Sequence, residues 1–151
     1  MEEYEQERWM RLFTFGINCS FGTLWYIRED LLKRAMSGYD QQSTRKAHPG
    51  VSINRAAPTG LRDVVSMLVG TSKVRGYGCF FSTTGISPNA EPEKRTYFNI
   101  LRPVRVQPYD FLNTREAPAD IERNTHKPSL TAKECKKLKT MINRQLRRTA
   151  Q

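Results

Sequence analysis

The chain has few of the residues that build disulfide frameworks and metal sites. Its 151 residues include three cysteines and two histidines, and the cysteines are far apart with no CxxC pair. An odd number of scattered cysteines argues against a disulfide framework and is typical of a reducing compartment. No HExxH motif is present, and the two histidines are far apart in the sequence. We therefore expect no metal site and no other cofactor.

Long hydrophobic runs and Gly-rich phosphate loops are also missing. Every apolar run is far shorter than the roughly 18–20 residues that a membrane-spanning helix needs. The first eight residues carry four glutamates, whereas a secretory signal begins with cations. The segment Gly70–Lys73 lacks the upstream glycine and the Gly-Lys-Ser/Thr order of a P-loop. These absences predict a cytoplasmic protein with no membrane partner and no nucleotide-hydrolysis loop.

The residue types in excess are lysine and arginine. The chain carries 25 of them against 15 acidic residues, which gives a formal net charge of +10. From Lys127 to the last residue there are eight cations and one anion, Glu134. A charge excess of this size indicates a polyanionic partner such as RNA, and the basic C-terminal end is its expected contact surface.

The apolar runs predict one mainly β domain with peripheral helices. Residues 1–38 read as a helix, a strand at Thr23–Ile27 and a second helix, which together form an N-terminal extension. The strands of the main body fall within 48–112, and their connections are too short for the crossover helices of a parallel sheet. We expect a small, partly open barrel. Its strands are predicted at Gly50–Ile53, Val64–Val69, Cys79–Ser82 and Thr96–Val106, the last interrupted at Pro103.

The C-terminal part is predicted to be a polar linker followed by a basic helix. Residues 113–128 are polar and interrupted by prolines, and residues 129–148 have helical composition. Thr131-x-x-Glu134 matches a capping box at the helix start. A narrow apolar stripe is expected at Cys135, Leu138, Ile142 and Leu146.

Polar residues near the ends of the central strands suit metal-free chemistry on a phosphodiester. Such chemistry needs a group that takes a proton, a group that gives one, and cations for the developing charge. RNA supplies its own nucleophile, the 2′-hydroxyl, so a protein that cuts RNA requires no cofactor. Histidine is the side chain best suited to proton transfer near neutrality. The candidates of the right type are His48, Thr71, Ser72, Lys73 and Arg102.

The order of these segments resembles that of the PemK/MazF-like toxin ribonucleases. A basic loop leads through His48-Pro49 into an apolar strand, a second apolar strand ends in Thr71-Ser72, and a later strand reads Ile-Leu-Arg before the final helix. The matching segments are Arg45–Ile53, Val64–Lys73, Phe98–Phe111 and Leu130–Leu146. The resemblance implies an SH3-like barrel, a homodimer, and metal-free cleavage of single-stranded RNA to 2′,3′-cyclic phosphate ends, held in check by an acidic antitoxin.

The same resemblance assigns roles to individual residues. Thr71 matches the catalytic threonine of the family. Arg102 matches an arginine of the later strand that lines the RNA groove, and the resemblance implies that it is a third catalytic residue beside His48 and Thr71. The family's other catalytic residue is an arginine before the proline, where this chain has His48. Either His48 has taken over as acid or base, or the site is altered or silent. The residues implied in substrate binding are Arg45, Lys46, Ser72 and Lys73.

Plainer interpretations of the same residues stay open. His48 fits a loop residue held extended by the proline after it, and Thr71 and Ser72 fit a strand-end cap made of local hydrogen bonds. Without catalysis, the chain would be a basic barrel that binds RNA or DNA, or a module that docks an acidic partner. The aromatic residues that lie near cations fit the core better than a base-stacking surface; these are Tyr77, Phe80, Phe81 and Tyr97.

Overall fold

The strands form one antiparallel sheet, which confirms the mainly β prediction. The computed structural model describes residues 3, 6, 10, 19–28, 32, 47–54, 65–74, 76–86, 94–106 and 121–150. The strand order is β4-β5-β3-β2-β1-β7, with β6 beside β3. The strands are β1 (Leu24–Arg28), β2 (Ala47–Ser52), β3 (Val65–Thr71), β4 (Phe80–Thr84), β5 (Arg95–Asn99), β6 (Val104–Val106) and β7 (Ile121–Arg123), and the C-terminal helix is α1 (Ala132–Ala150).

β5 and β6 lie end to end along the same edge of β3. Gly70 pairs with Phe98 at one end, and Met67 pairs with Val104 at the other. Between these two pairs β3 spans three residues, whereas the chain from β5 to β6 spans six. The residues between β5 and β6 therefore loop out of the ladder. The interruption predicted at Pro103 is therefore confirmed. The Ile-Leu-Arg segment predicted as strand is instead a turn, because proline cannot donate a ladder hydrogen bond.

Two strands lie outside the region that was expected to hold the sheet. β1 comes from the N-terminal extension, yet it runs between β2 and β7, with Trp25 opposite both Gly50 and Arg123. β7 lies within residues 113–128, so the linker prediction is wrong at 121–123. β7 is at an edge of the sheet, where a strand needs neither apolar alternation nor two partners. The rest of the linker up to residue 120 lies outside the described residues.

The sheet is packed on both faces. β1 alternates between them, because Leu24 belongs to one hydrophobic cluster whereas Trp25 and Ile27 belong to the other. We call the two sides the helix-side face and the opposite face. The helix-side cluster contains Leu24, Val51, Leu68, Phe81, Ile86, Phe98, Ile100, Leu130 and Leu138. The opposite-face cluster contains Cys19, Trp25, Ile27, Leu32, Val65, Met67, Val104 and Val106.

The two edge strands, β4 and β7, are joined by side chains. Asn124 follows β7, is fully buried, and donates from Nδ2 to the Ile86 carbonyl just after β4 at 3.1 Å. Tyr26 donates from its hydroxyl to the same carbonyl at 3.3 Å. Among the described residues, no backbone ladder connects β4 with β7. The sheet therefore curls until its edges meet, but it is not a closed barrel.

α1 begins at the predicted capping box. The Thr131 amide donates to Glu134 Oε1 at 3.0 Å, and the Glu134 amide donates to Thr131 Oγ1 at 3.2 Å. Each side chain thus satisfies a backbone amide that the first turn of a helix leaves without a partner. Within the described part of the chain, no helix is long and apolar enough to cross a membrane.

The apolar stripe of α1 is confirmed over its first half. Leu138 is fully buried, and Cys135 and Ile142 are half-buried. The prediction for Leu146 is wrong, since its side chain is 62% exposed. The residues of α1 that pack in or against the helix-side cluster are Cys135, Leu138, Met141 and Ile142. Leu146 lies about one turn beyond the last of them.

Candidate functional site

His48 and Thr71, the central residues of the predicted site, lie on neighbouring strands. The antiparallel register of β2 and β3, continued two residues beyond its last pair, sets His48 opposite Thr71. Pro49 lies against Gly70, since a Cβ atom on Gly70 would be 2.9 Å from Pro49 Cγ. The two strands therefore stay side by side as far as His48 and Thr71.

Strand alternation places both residues on the opposite face of the sheet. Along β3, Met67 belongs to the opposite-face cluster, and Thr71 continues the same alternation. Along β2, the Ser52 hydroxyl accepts from Trp25 Nε1 at 3.3 Å on that face, and His48 lies an even number of residues away. His48 is half-buried and Thr71 is exposed. The pair is thus within reach of a ligand in solvent.

The strand registers extend this pair into a row across five strands. Ile27 on β1 pairs with His48, and Tyr97 on β5 pairs with Thr71 and with Ser82 on β4. We call these five residues the cross-strand row. Residues directly opposite each other on neighbouring strands share a face, with Cβ atoms roughly 4.5–5.5 Å apart. The row therefore collects an imidazole, a phenol and two hydroxyls on one side of the sheet.

The Thr71 hydroxyl also shapes the turn that follows β3. It donates to the Lys73 carbonyl at 3.2 Å and accepts from the Lys73 amide at 3.4 Å. This is the local strand-end cap that the sequence also permits. A hydroxyl has one donor and two acceptor lone pairs, so the turn uses the donor and one acceptor position. A ligand that donates to Thr71 would leave the turn intact.

The residues predicted to bind substrate lie near the row or outside the described residues. Ser72 and Lys73 are exposed in the bend directly after β3. Their place beside Thr71 suits contact with a phosphate. Arg45 and Lys46 lie outside the described residues.

Arg102 and Tyr97 differ most from their predicted places. Arg102 is exposed in the turn between β5 and β6, where its amide donates to the Asn99 carbonyl at 3.3 Å, and it is not part of the row. Tyr97 was expected in the core but lies half-buried beside Thr71. Strict alternation along β5 is the signal that could have found it, because Tyr97 must face away from the buried Phe98.

A second polar cluster joins β4 to the start of α1. Lys127 Nζ donates to Thr83 Oγ1 at 2.6 Å and to the Thr84 carbonyl at 2.7 Å, and it lies 3.2 Å from Glu134 Oε1. The Thr83 hydroxyl also donates to the Glu134 carboxylate. We call Thr83, Thr84, Lys127 and Glu134 the Lys127 cluster. Its contacts use all three donors of the Lys127 ammonium group. The cluster therefore attaches the start of α1 to β4.

The Lys127 cluster favours the ionised form of Glu134. Partial burial raises the pKa of this carboxyl. Hydrogen bonds from the Thr83 hydroxyl, the Thr131 amide and Lys127 lower the pKa by more than burial raises it. The net result is a pKa below the ordinary value for glutamate. The sequence identifies Glu134 as a helix cap, but its contacts with Thr83 and Lys127 depend on tertiary structure.

The exposed side of α1 carries a stripe of cations. Lys133, Lys137, Arg144 and Arg148 are exposed and lie on one side of the helix, at spacings close to whole numbers of turns. We call these four residues the basic stripe. Lys139 lies on another side, with Nζ 4.9 Å from the centre of the Phe21 ring. The stripe therefore presents positive charge to solvent along most of the helix.

The comparisons with known proteins give no relative. No protein-family model matches the chain, and neither a curated protein nor a solved structure is significantly similar to it. In the described part of the chain, no group of three or more His, Cys, Asp or Glu residues is arranged to hold a metal ion. Any functional conclusion therefore depends on the geometry of the row and on the charge of the chain.

Proposed function

We propose that this protein is a metal-independent endoribonuclease of the PemK/MazF-like type, which acts on single-stranded RNA through an SH3-like barrel. The observation that carries the proposal is the position of His48 opposite Thr71, in the continued register of β2 and β3. An imidazole beside a hydroxyl on one face of a sheet suits proton transfer at a scissile phosphate. The net charge of +10 supports an RNA substrate.

In the proposed reaction the RNA is cut by its own 2′-hydroxyl. His48 takes the proton from this hydroxyl, whose oxygen attacks the adjacent phosphorus. The bond from phosphorus to the 5′-oxygen of the next nucleotide breaks, and that oxygen takes up a proton from Tyr97 or from water. The products are a 2′,3′-cyclic phosphate and a 5′-hydroxyl end. Lys73, two residues after Thr71, stabilises the negative charge that develops on the phosphate.

The proposal includes a partner and an assembly. The basic stripe of α1 and the net charge of +10 suit an acidic antitoxin as well as RNA. A homodimer and a cytoplasmic location complete the proposal. An antitoxin that binds over the row would inhibit cleavage by covering Thr71 and His48.

The test is the incubation of purified protein with a long single-stranded RNA in EDTA. We expect fragments that end in a 2′,3′-cyclic phosphate, identified by mass spectrometry. His48→Ala should slow cleavage about 100- to 10,000-fold, the usual contribution of one acid or base. His126→Ala is the matched control, because His126 is exposed and lies outside the row. Intact RNA, or equal rates in both histidine variants, would contradict the proposal.

A second candidate is a basic barrel that binds RNA or DNA without cutting it. The observation that favours it is the use of the Thr71 hydroxyl in the turn with Lys73. Such a protein would bind single strands with a steep salt dependence and leave them intact. His48→Arg distinguishes the two, since it places the family's arginine before Pro49. Cleavage that appears only in His48→Arg would identify the natural chain as a silent version of the site.

A further inference from the structure

Tyr77 is an aromatic residue that the sequence assigns to the core but the structure exposes. It lies in the loop between β3 and β4, and its side chain is 88% exposed. A single exposed aromatic side chain is common on protein surfaces and means little alone. The position of Tyr77 in the chain gives it more weight, because its loop begins directly after Thr71 of the cross-strand row.

The loop of Tyr77 is fastened to the turn that carries Leu101 and Arg102. The Ile100 amide donates to the Cys79 carbonyl at 2.9 Å, which extends the pairing of β4 with β5. This contact brings the chain segment around Tyr77 alongside the turn between β5 and β6.

Asn99 strengthens the junction from within. Its Oδ1 atom accepts from the Leu101 amide at 3.1 Å, and its main-chain carbonyl accepts from the Arg102 amide. Its side-chain amide lies so close to Gly78 that a Cβ atom there would be 2.6 Å from Asn99 Nδ2. One asparagine thus orders the turn and contacts the residue next to Tyr77.

Together these segments present an apolar and cationic surface. Leu101 is 39% exposed, and Arg102 is exposed beside it. Aromatic rings stack on nucleobases of any sequence, and arginine contributes both cation–π contact and charge. A folded core gains nothing from Tyr77 at this exposure, whereas a single-stranded nucleic acid supplies both a base for the ring and a phosphate for the guanidinium.

We propose that Tyr77, Leu101 and Arg102 form a stacking platform for a nucleobase of a single-stranded nucleic acid. Tyr77 holds the base by its ring face, Leu101 contacts the same base or its neighbour, and Arg102 contacts the backbone phosphate. The proposal rests on the proposed function only in taking single-stranded RNA as the ligand. It gives Arg102 a binding role in place of the catalytic role that the sequence resemblance implies.

The test measures binding to a short, fluorescently labelled 2′-O-methyl RNA, which cannot be cleaved through its 2′-oxygen. Tyr77→Ala should weaken binding about 5- to 100-fold, the usual effect of losing one stacked base. Tyr77→Phe should bind within about twofold of the natural chain, because the ring is kept. Leu146→Ala is the matched control, since Leu146 is another strongly exposed apolar side chain, on α1. An unchanged thermal melting temperature in each variant shows that the fold is intact.

Two further readouts separate stacking from charge. An oligonucleotide of the same length with abasic sites should bind the natural chain and Tyr77→Ala equally well. Arg102→Gln should lower the slope of log affinity against log salt by about 0.7, the value for one phosphate contact on a single strand, whereas Tyr77→Ala should leave the slope unchanged. Binding of Tyr77→Ala at natural affinity, or an effect of Tyr77→Ala that persists on the abasic strand, overturns the proposal. Neither result depends on whether the protein cuts RNA, so a failure of the proposed nuclease activity stays distinct.

Discussion

The side-chain amide of Asn124 holds the main-chain carbonyl of Ile86 at 3.1 Å and so joins the two edges of the sheet. The same side chain accepts from the amides of His126 at 2.9 Å and Lys127 at 3.2 Å. Asn124, whose side chain is fully buried, is therefore the centre of a small hydrogen-bond network. It fixes both the curl of the sheet and the path of the chain towards α1.

Asn124→Leu should destabilise the fold by about 2–4 kcal/mol, because the three hydrogen bonds of its buried side chain are lost and their partner groups are left without them. Urea unfolding followed by circular dichroism measures the change. Asn143→Ala is the control, since Asn143 is exposed on α1 and its loss should change stability by no more than about 0.5 kcal/mol. Equal stability of the two variants would contradict the role given to Asn124.

The Lys127 cluster makes stability depend on pH through Glu134. The pKa of Glu134 is lowered in the folded protein, so its contribution is fully present above the ordinary carboxyl value of about 4.5 and is lost as the pH falls through the folded pKa. The difference in unfolding free energy between the natural chain and Glu134→Gln should therefore shrink as the pH is lowered below about 4.5. Urea titrations at several pH values measure it. A difference that stays constant would show that the carboxylate is not stabilised by its partners.

Gly70→Ala should disturb the contact between β2 and β3 beside His48 and Thr71. The added methyl group would lie 2.5 Å from Thr96 Cγ2 and 2.9 Å from Pro49 Cγ, so we expect a loss of about 1–3 kcal/mol in stability. Thr96→Ser removes the Cγ2 atom, and the double variant should regain part of the loss. If the cross-strand row is the nuclease site, RNA cleavage should also fall in Gly70→Ala and partly recover in the double variant.

Replacement of the basic stripe by glutamine should weaken binding of single-stranded RNA and reduce its salt dependence. Four phosphate contacts on a single strand correspond to a slope of about 3 in log affinity against log salt. Anisotropy titrations over a range of salt concentrations give this slope. Lys139→Gln is the control, because Lys139 lies over the Phe21 ring on another side of α1. If Lys139→Gln reduces the salt slope by as much as the average stripe residue does, RNA binding depends on the total charge of the chain and not on the basic stripe.

Local sequence signals predicted the elements that depend on local interactions. The capping box at Thr131 and Glu134 was readable because both partners lie within one helical turn. The strands around Val51 and Leu68 were readable from their β-branched and apolar residues. The break at Pro103 was readable because proline lacks a backbone donor.

Features that depend on distant pairing were not readable. β7 has a polar sequence, and only its register with β1 identifies it as a strand. Asn124 meets Ile86 across 38 positions of the chain, so no local pattern marks it as buried. The residues of the candidate site differ in the same way. His48 and Thr71 were selected by residue type, and Tyr97 could have been found from the alternation along β5, whereas the exposure of Tyr77 required the fold.

The carboxylate of Glu134 takes part in two tasks that are usually performed by separate groups. It accepts from the amide of Thr131, the capping residue just before α1, and it accepts from Thr83 on β4 and from Lys127. Helix initiation and helix attachment therefore depend on the same two oxygen atoms. A chain in which β4 has not yet formed would lack much of what holds this carboxylate in place. We expect the C-terminal helix to gain its order late in folding, together with the strand it is fastened to.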